Sequence, residues 1–410
     1  MDKQKLLMEK FAYVIIKTGV NLQKGQILNI KTPVETYEFA RIIAKCAYEN
    51  GAKKVVISYH DDYVNKEYYL HASMGTIEEI EDYKVEQAKY LVENGACMVS
   101  IASPIPNIMQ GIDTKKMQAS NIASMKKLGF LREYTMSNKG QWCVVSVPNE
   151  EWAKQVFPND ENAFDKLFDA IMLASRISIE NSPVEAWDAH MKTLEHHKDV
   201  LNEYNFKTLK FKNSIGTDLS VELVEGHIWG GGGELTQNNI YFSPNMPTEE
   251  VFTMPHRLGV NGRVYSTKPL NYQGNLIEDF CLDFKDGAVI SYHASKGEDA
   301  LKALLEIDDG SVRLGEVALI SYNSPISNMN ILFYNTLFDE NASCHLALGN
   351  AYTMNIKDGY TLPIDKLKEK GYNSSMVHVD FMFGSKDMNI VGITHDGKEV
   401  QIFKKGNFVI

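Results

Sequence analysis

Between Gln26 and Val147 the chain alternates short apolar β-like runs with helical patterns, and this alternation constrains the fold more than any other feature. Gln26–Ile30, Lys54–Tyr59, Ala96–Ala102 and Gln141–Val147 read as strands, with Val34–Glu49, Ile77–Val92 and Lys115–Lys127 as helices between them. Asn50-Gly51 and Asn94-Gly95 stop the first two helices, and Ser103-Pro104 and Pro148-Asn149 close the last two strands. Strand–helix–strand order implies a mostly parallel sheet with helices on both faces. Ligands bind at the strand ends of such sheets. No GxGxxG follows the first strand and no GxxxxGK(S/T) occurs anywhere, so the alternation speaks for fold and not for nucleotide chemistry.

A helix with Leu6, Leu7, Phe11, Val14 and Ile15 at helical spacing precedes this block and stops near Gly19. From Glu150 to about Phe206 the pattern is wholly helical, over Trp152–Val156, Asn162–Arg176 and Pro183–Tyr204. The adjacent His196 and His197 on the last helix point about 100° apart. They read as solvated surface rather than as a metal pair. At Thr208 the pattern changes to short alternating runs at hairpin spacing, beginning with Leu209–Lys212 and Asp218–Leu223 around a glycine-containing turn. Gly230–Gly233 reads as a flexible crossover.

A chain of 410 residues exceeds what one core usually supports. The change of pattern divides it into residues 1–206, an α/β Rossmann-like N-terminal domain with a mostly parallel sheet and a helical bridge, and residues 207–410, a β-rich α+β C-terminal domain with an antiparallel, barrel-like arrangement. The net charge of −11 argues against a nucleic-acid partner, which calls for a basic excess. It suits an acidic pocket for metals or for a cationic substrate end. The five cysteines are scattered without a CxxC, as expected of free thiols in a reducing cytoplasm. No run of about eighteen apolar residues occurs, so no membrane partner is expected.

Chemistry-bearing residues gather in the second half. Glu250 directly precedes the apolar run Val251-Phe252, and Glu316 opens the buried-looking run Val317–Ile320. Glu340 and His345 are five apart, which puts them on opposite sides of an uninterrupted strand unless a turn at Asn341-Ala-Ser intervenes. His378 and Asp380, two apart on an apolar-flanked strand, face one side. Each has a packing alternative: a capping acid, an edge charge, a hydrogen-bonded pair. Together they offer four carboxylates and two imidazoles, the donor set of a two-metal hydrolytic site. A nucleophilic serine is disfavoured by the absence of GxSxG, and Cys344 has no activating neighbour beyond His345.

The segments Pro247-Thr-Glu-Glu250-Val-Phe-Thr, Gly315-Glu316-Val-Ala-Leu, Phe338–Gly349 and His378-Val-Asp380-Phe-Met, in that order, resemble the thermophilic metalloaminopeptidases, aminopeptidase T and aminopeptidase S. The resemblance spans essentially the whole chain. It implies a homodimer whose β-rich domain holds two divalent metal ions (zinc, cobalt or manganese) and cleaves the N-terminal residue from peptides with a free N-terminus. Carried over by motif, the metal ligands are Glu250, Glu316, Glu340, His345, His378 and Asp380, with Tyr352 as the catalytic phenol. Glu316 is the expected bridging carboxylate. A two-metal phosphoesterase could use the same ligand types, and a small-ligand binding protein with structural metals is a second rival.

Overall fold

The computed structural model describes residues 3–272 and 274–410. Two compact units form, one from the residues up to His190 with Gly233–Pro247, the other from Met191–Gly232 with Thr248–Ile410. In the first unit β1 (Ile27–Pro33), β2 (Lys54–His60), β3 (Cys97–Ile101) and β4 (Trp142–Val145) run parallel in the order β2–β1–β3–β4. A short strand, Asn245–Met246, adds beside β4, also parallel. β1, paired on both sides, buries five of its seven residues, whereas β2 at the edge buries none. Burial on both faces is what made β1 legible as an apolar run.

Helix Tyr37–Glu49 covers the sheet with Phe39, Ala40, Ile43, Cys46 and Ala47. Three helices depart from the sequence reading, the one expected at Ile77–Val92 being split into Met74–Ile77 and Asp82–Glu93. Asp62–His71 was not anticipated: it buries no residue and is held at its start by the Asp61 carboxylate, which accepts from the Tyr63 and Val64 amides. The helix expected at Lys115–Lys127 runs over Thr114–Met136 with only Ala123 and Tyr134 buried, so no apolar stripe marked its end.

Among the described residues the second unit holds a larger and a smaller antiparallel sheet besides a two-stranded one, Leu270–Tyr272 with Asn275–Ile277. The larger has eight strands and contains the expected hairpin, Thr208–Lys212 against Asp218–Leu223, with Gly216 at a φ of 109° in the turn. This sheet is open, contrary to the barrel-like expectation. Its end strands, Ala288–His293 and Asn407–Phe408, do not pair with each other among the described residues, and the former buries none of its six residues. The smaller sheet runs in the order His378–Met382, His345–Gly349, Leu314–Leu319, Val251–Thr253, Gly230–Gly231. Its Leu314–Leu319 and His345–Gly349 strands are buried at every position.

The glycine run therefore begins as a strand and not as a loose crossover. Gly231 pairs with Val251 at a φ of 129°, and a Cβ there would stand 2.5 Å from the Glu250 carbonyl oxygen. His196 is exposed as expected, but His197 is not solvated surface. Its ring stacks on Phe408 at 3.9 Å and 14°, and burial, then His196, pushes its imidazole down to about 4. Among the described residues no helix is long and apolar enough to cross a membrane.

Candidate metal centre

The register of the smaller sheet decides which side chains converge. Directly opposed residues share a face, as do residues two apart on one strand. Glu316 opposes Ala347, which opposes Asp380, while His378 opposes Gly349 and His345 opposes Ala318. Phe252 also opposes Ala318, which brings Glu250, two residues earlier, to the same side. Five of the six candidate ligands thus stand on one face. Between them lie Ala318, Ala347 and Gly349, whose small size lets long acids and imidazoles reach across the strands.

Their functional atoms meet. His345 Nε2 lies 3.1 Å from Glu250 Oε2 and 3.5 Å from Glu316 Oε1. His378 Nε2 lies 3.5 Å from Glu316 Oε2 and 3.3 Å from Asp380 Oδ1. Two triads result, Glu250–Glu316–His345 and Glu316–His378–Asp380, each with its donor atoms within 4.8 Å of one another. Glu316 belongs to both and turns one oxygen to each histidine. Both imidazoles have Nδ1 facing a backbone carbonyl, His378 at 2.7 Å from Asn350 O and His345 at 3.3 Å from Ser343 O. Those contacts hold the proton on Nδ1 and leave Nε2 for the centre, the arrangement usual around metal-ligating histidines.

Burial pushes the Glu316 carboxyl up to about 7 against the pull of His345, with the charges of Glu250 and Asp380 adding to the rise. Burial alone would lower both imidazoles. The acids outweigh it: His378 rises to about 9 beside Asp380, and His345 stands well above its usual value beside Glu250 and Glu316. Asp380 is lowered, since His378 overcomes the cost of its burial. More carboxylate charge is concentrated here than two imidazoles can offset, and divalent cations would supply the missing positive charge. Glu250 Oε2 and Asp380 Oδ1 are buried with no hydrogen-bond donor, their imidazole contacts being ion pairs outside hydrogen-bond geometry. Carboxylates with two imidazoles fit zinc, cobalt or manganese, so the residues present suit the expected ions.

Glu340 stands apart from both triads. It sits in the 3₁₀ turn Glu340–Ala342, the interruption that a five-residue spacing to His345 requires. Its carboxyl is raised well above the usual range by burial and then by Glu250 and Asp380, so it adjoins the cluster. Tyr352 follows the Gly349-Asn350-Ala351 turn, its ring 4.7 Å from that of His378 and edge-on to Phe252 at 6.3 Å. Burial, then the charges of Glu316 and Asp380, hold its phenol far above the usual range, so the hydroxyl stays protonated.

Residues 4–408 match the thermophilic metalloprotease (M29) family. The chain belongs to that family. It is 45% identical over 410 residues to aminopeptidase AmpS of Bacillus subtilis (strain 168), with 100% of each chain covered. It is 44% identical over 410 residues to aminopeptidase 2 of Geobacillus stearothermophilus, covering 100% of this chain and 99% of that one. The solved structure of wild-type AmpT from Thermus thermophilus superposes with a TM-score of 0.91 at 34% identity, covering 99% of this chain and 100% of that one.

In this M29 metalloprotease Cys344 is structural: its buried sulfur lies 3.3 Å from both the amide and the carbonyl of Ile320, and burial pushes the thiol up to about 11. Sequence reasoning missed the residues that aim the ligands. Asn350 serves through its carbonyl, which any residue provides, so it left no signal. Asn341 bonds the Glu249 amide and the Leu337 carbonyl through its side chain and lies inside the Glu340–His345 motif, where the sequence marks it only as part of a turn.

Proposed function

We propose that this M29 protease is an aminopeptidase, removing the first residue from peptides with a free N-terminus, with two divalent ions shared through Glu316. The observation that carries the reading is the division of Glu316, Oε1 toward His345 and Oε2 toward His378, each at 3.5 Å. Glu250 and His345 would hold one ion, His378 and Asp380 the other, and Glu340 would add its carboxylate from the adjoining turn. Divalent ions bound there supply charge that acidifies water near neutral pH and polarises a scissile carbonyl. The chain's own groups do the rest. Tyr352, kept protonated by its buried, acid-rich surroundings, donates a hydrogen bond to the oxyanion that develops on the carbonyl. The surrounding carboxylates favour a cationic α-amino group at the substrate end.

The curated relatives' names, aminopeptidase AmpS and aminopeptidase 2, support the exopeptidase class. The protease family disfavours the phosphoesterase alternative, which shares the ligand types. The enzyme is expected to work as a homodimer in the cytoplasm, where its five free cysteines stay reduced. The test is cleavage of matched peptides with free and acetylated N-termini under identical metal loading. Cleavage of the free peptide alone is expected. Comparable rates on both would make the protein an endopeptidase or a general amidase.

A further inference from the structure

Two of the candidate ligands, Glu250 and Glu340, reach the centre from segments ninety residues apart in the chain and outside its buried central strands. Glu250 ends the turn that leads into Val251–Thr253, and Glu340 opens a single 3₁₀ turn. Neither backbone is fixed by sheet pairing at the ligand itself. One side chain ties them together. Asn341, fully buried, accepts the Glu249 amide proton on Oδ1 at 2.7 Å and donates from Nδ2 to the Leu337 carbonyl at 3.0 Å. The first bond holds the peptide that carries Glu250. The second closes the short helix Thr336–Asp339, out of which Glu340 emerges.

We propose that Asn341 is a positioning residue that sets Glu250 and Glu340 relative to each other and so pre-forms the metal centre. The proposal rests on the two-ion reading of the site. Both side-chain bonds of Asn341 go to backbone groups, so its effect passes through the segments that carry the two carboxylates. A buried amide with both ends engaged has few alternative arrangements, and an unmet Glu249 N–H in its place would be costly. The same bond spans the two segments, so a change at 341 is felt at both carboxylates at once.

The test is divalent-metal affinity, read by competition with a chelating dye on the full chain, for the parent, Asn341→Leu and Asn341→Asp. Leucine keeps the shape and removes both hydrogen bonds, and aspartate keeps the acceptor for the Glu249 amide. Outer partners of metal ligands typically contribute about 10–100-fold in affinity. A loss of that size is expected for Asn341→Leu, with Asn341→Asp recovering most of it, and kcat of Asn341→Leu should return toward parent at saturating metal with KM unchanged. A purely structural role would lower the melting temperature of the metal-free protein and leave the affinity alone. If the leucine variant does not fold, Asn341→Ala carries the same comparison at smaller volume, since it too lacks both bonds. Affinity within about twofold of parent in a folded variant lacking both bonds, on the scale of that usual loss, overturns the inference alone. A parent chain that binds no divalent ion overturns the two-ion reading and the inference with it.

Discussion

Replacing Tyr352 by phenylalanine removes one oxygen and little else. The ring keeps its contacts, 4.7 Å to His378 and 6.3 Å to Phe252, so metal content and fold should not change. What disappears is a hydroxyl whose ionisation is opposed by burial and then by four nearby carboxylates. A pre-aimed donor of this kind acts on charge that exists only in the transition state. Its loss typically costs about 10²–10³ in kcat, or roughly 3–4 kcal/mol, without a matching change in KM. Steady-state kinetics on Tyr352→Phe, with metal counted by mass spectrometry in the same sample, checks this. A fall of less than about fivefold, far short of the range for a lost oxyanion donor, would leave Tyr352 as packing.

Three further outcomes follow, one from the candidate centre and two from His197. His378→Ala and Asp380→Ala should each lose metal together with activity, whereas His196→Ala should change neither. His197→Ala should keep metal and rate but lose its stack on Phe408, worth about 0.5–1.5 kcal/mol, which a melting curve reads directly. His197 also predicts an acid sensitivity. Its folded value of about 4 lies below the ordinary 6.5, so the stability it contributes is complete above pH 6.5 and is lost as pH falls through 4. His227, pushed down to about 4 by burial, acts in the same window and with the same sign. His197→Phe should therefore flatten part of the fall in melting temperature between pH 7 and pH 4, and an unchanged slope would contradict the assignment.

The parallel sheet was legible because β1 and β3 are buried on both faces and so read as apolar runs. Asn245–Met246 was not, since it joins that sheet after the chain has passed through the second unit, and two residues carry no periodicity. Helix Asp62–His71 escaped for a related reason: with nothing buried, no apolar stripe betrayed it, and only the Asp61 cap marked its start. The site was more legible than the fold around it. An acid or imidazole in an apolar strand is costly to bury unless something pairs with it, and His378 and Asp380 stood out on that ground, whereas Glu316 stood out by its place at the start of an apolar run and His345 by its motif. The shared face depended on register across the His345 and Glu316 strands, including a bulge between Leu314 and Glu316 that no local pattern records. Asn341 was legible only as a turn residue, since nothing in the sequence marks a neutral side chain that bonds backbone on two sides.

The division of Glu316 between two histidines is most directly tested by metal stoichiometry. Titration of the metal-free protein with zinc or manganese, read by native mass spectrometry, should give two ions per chain for the parent. Glu316→Gln has nearly the same shape but lacks the charge and one of the two carboxylate oxygens, and should fail to hold the pair at concentrations that saturate the parent. A parent that saturates at one ion, or a Glu316→Gln variant that binds two with unchanged affinity, would contradict the account.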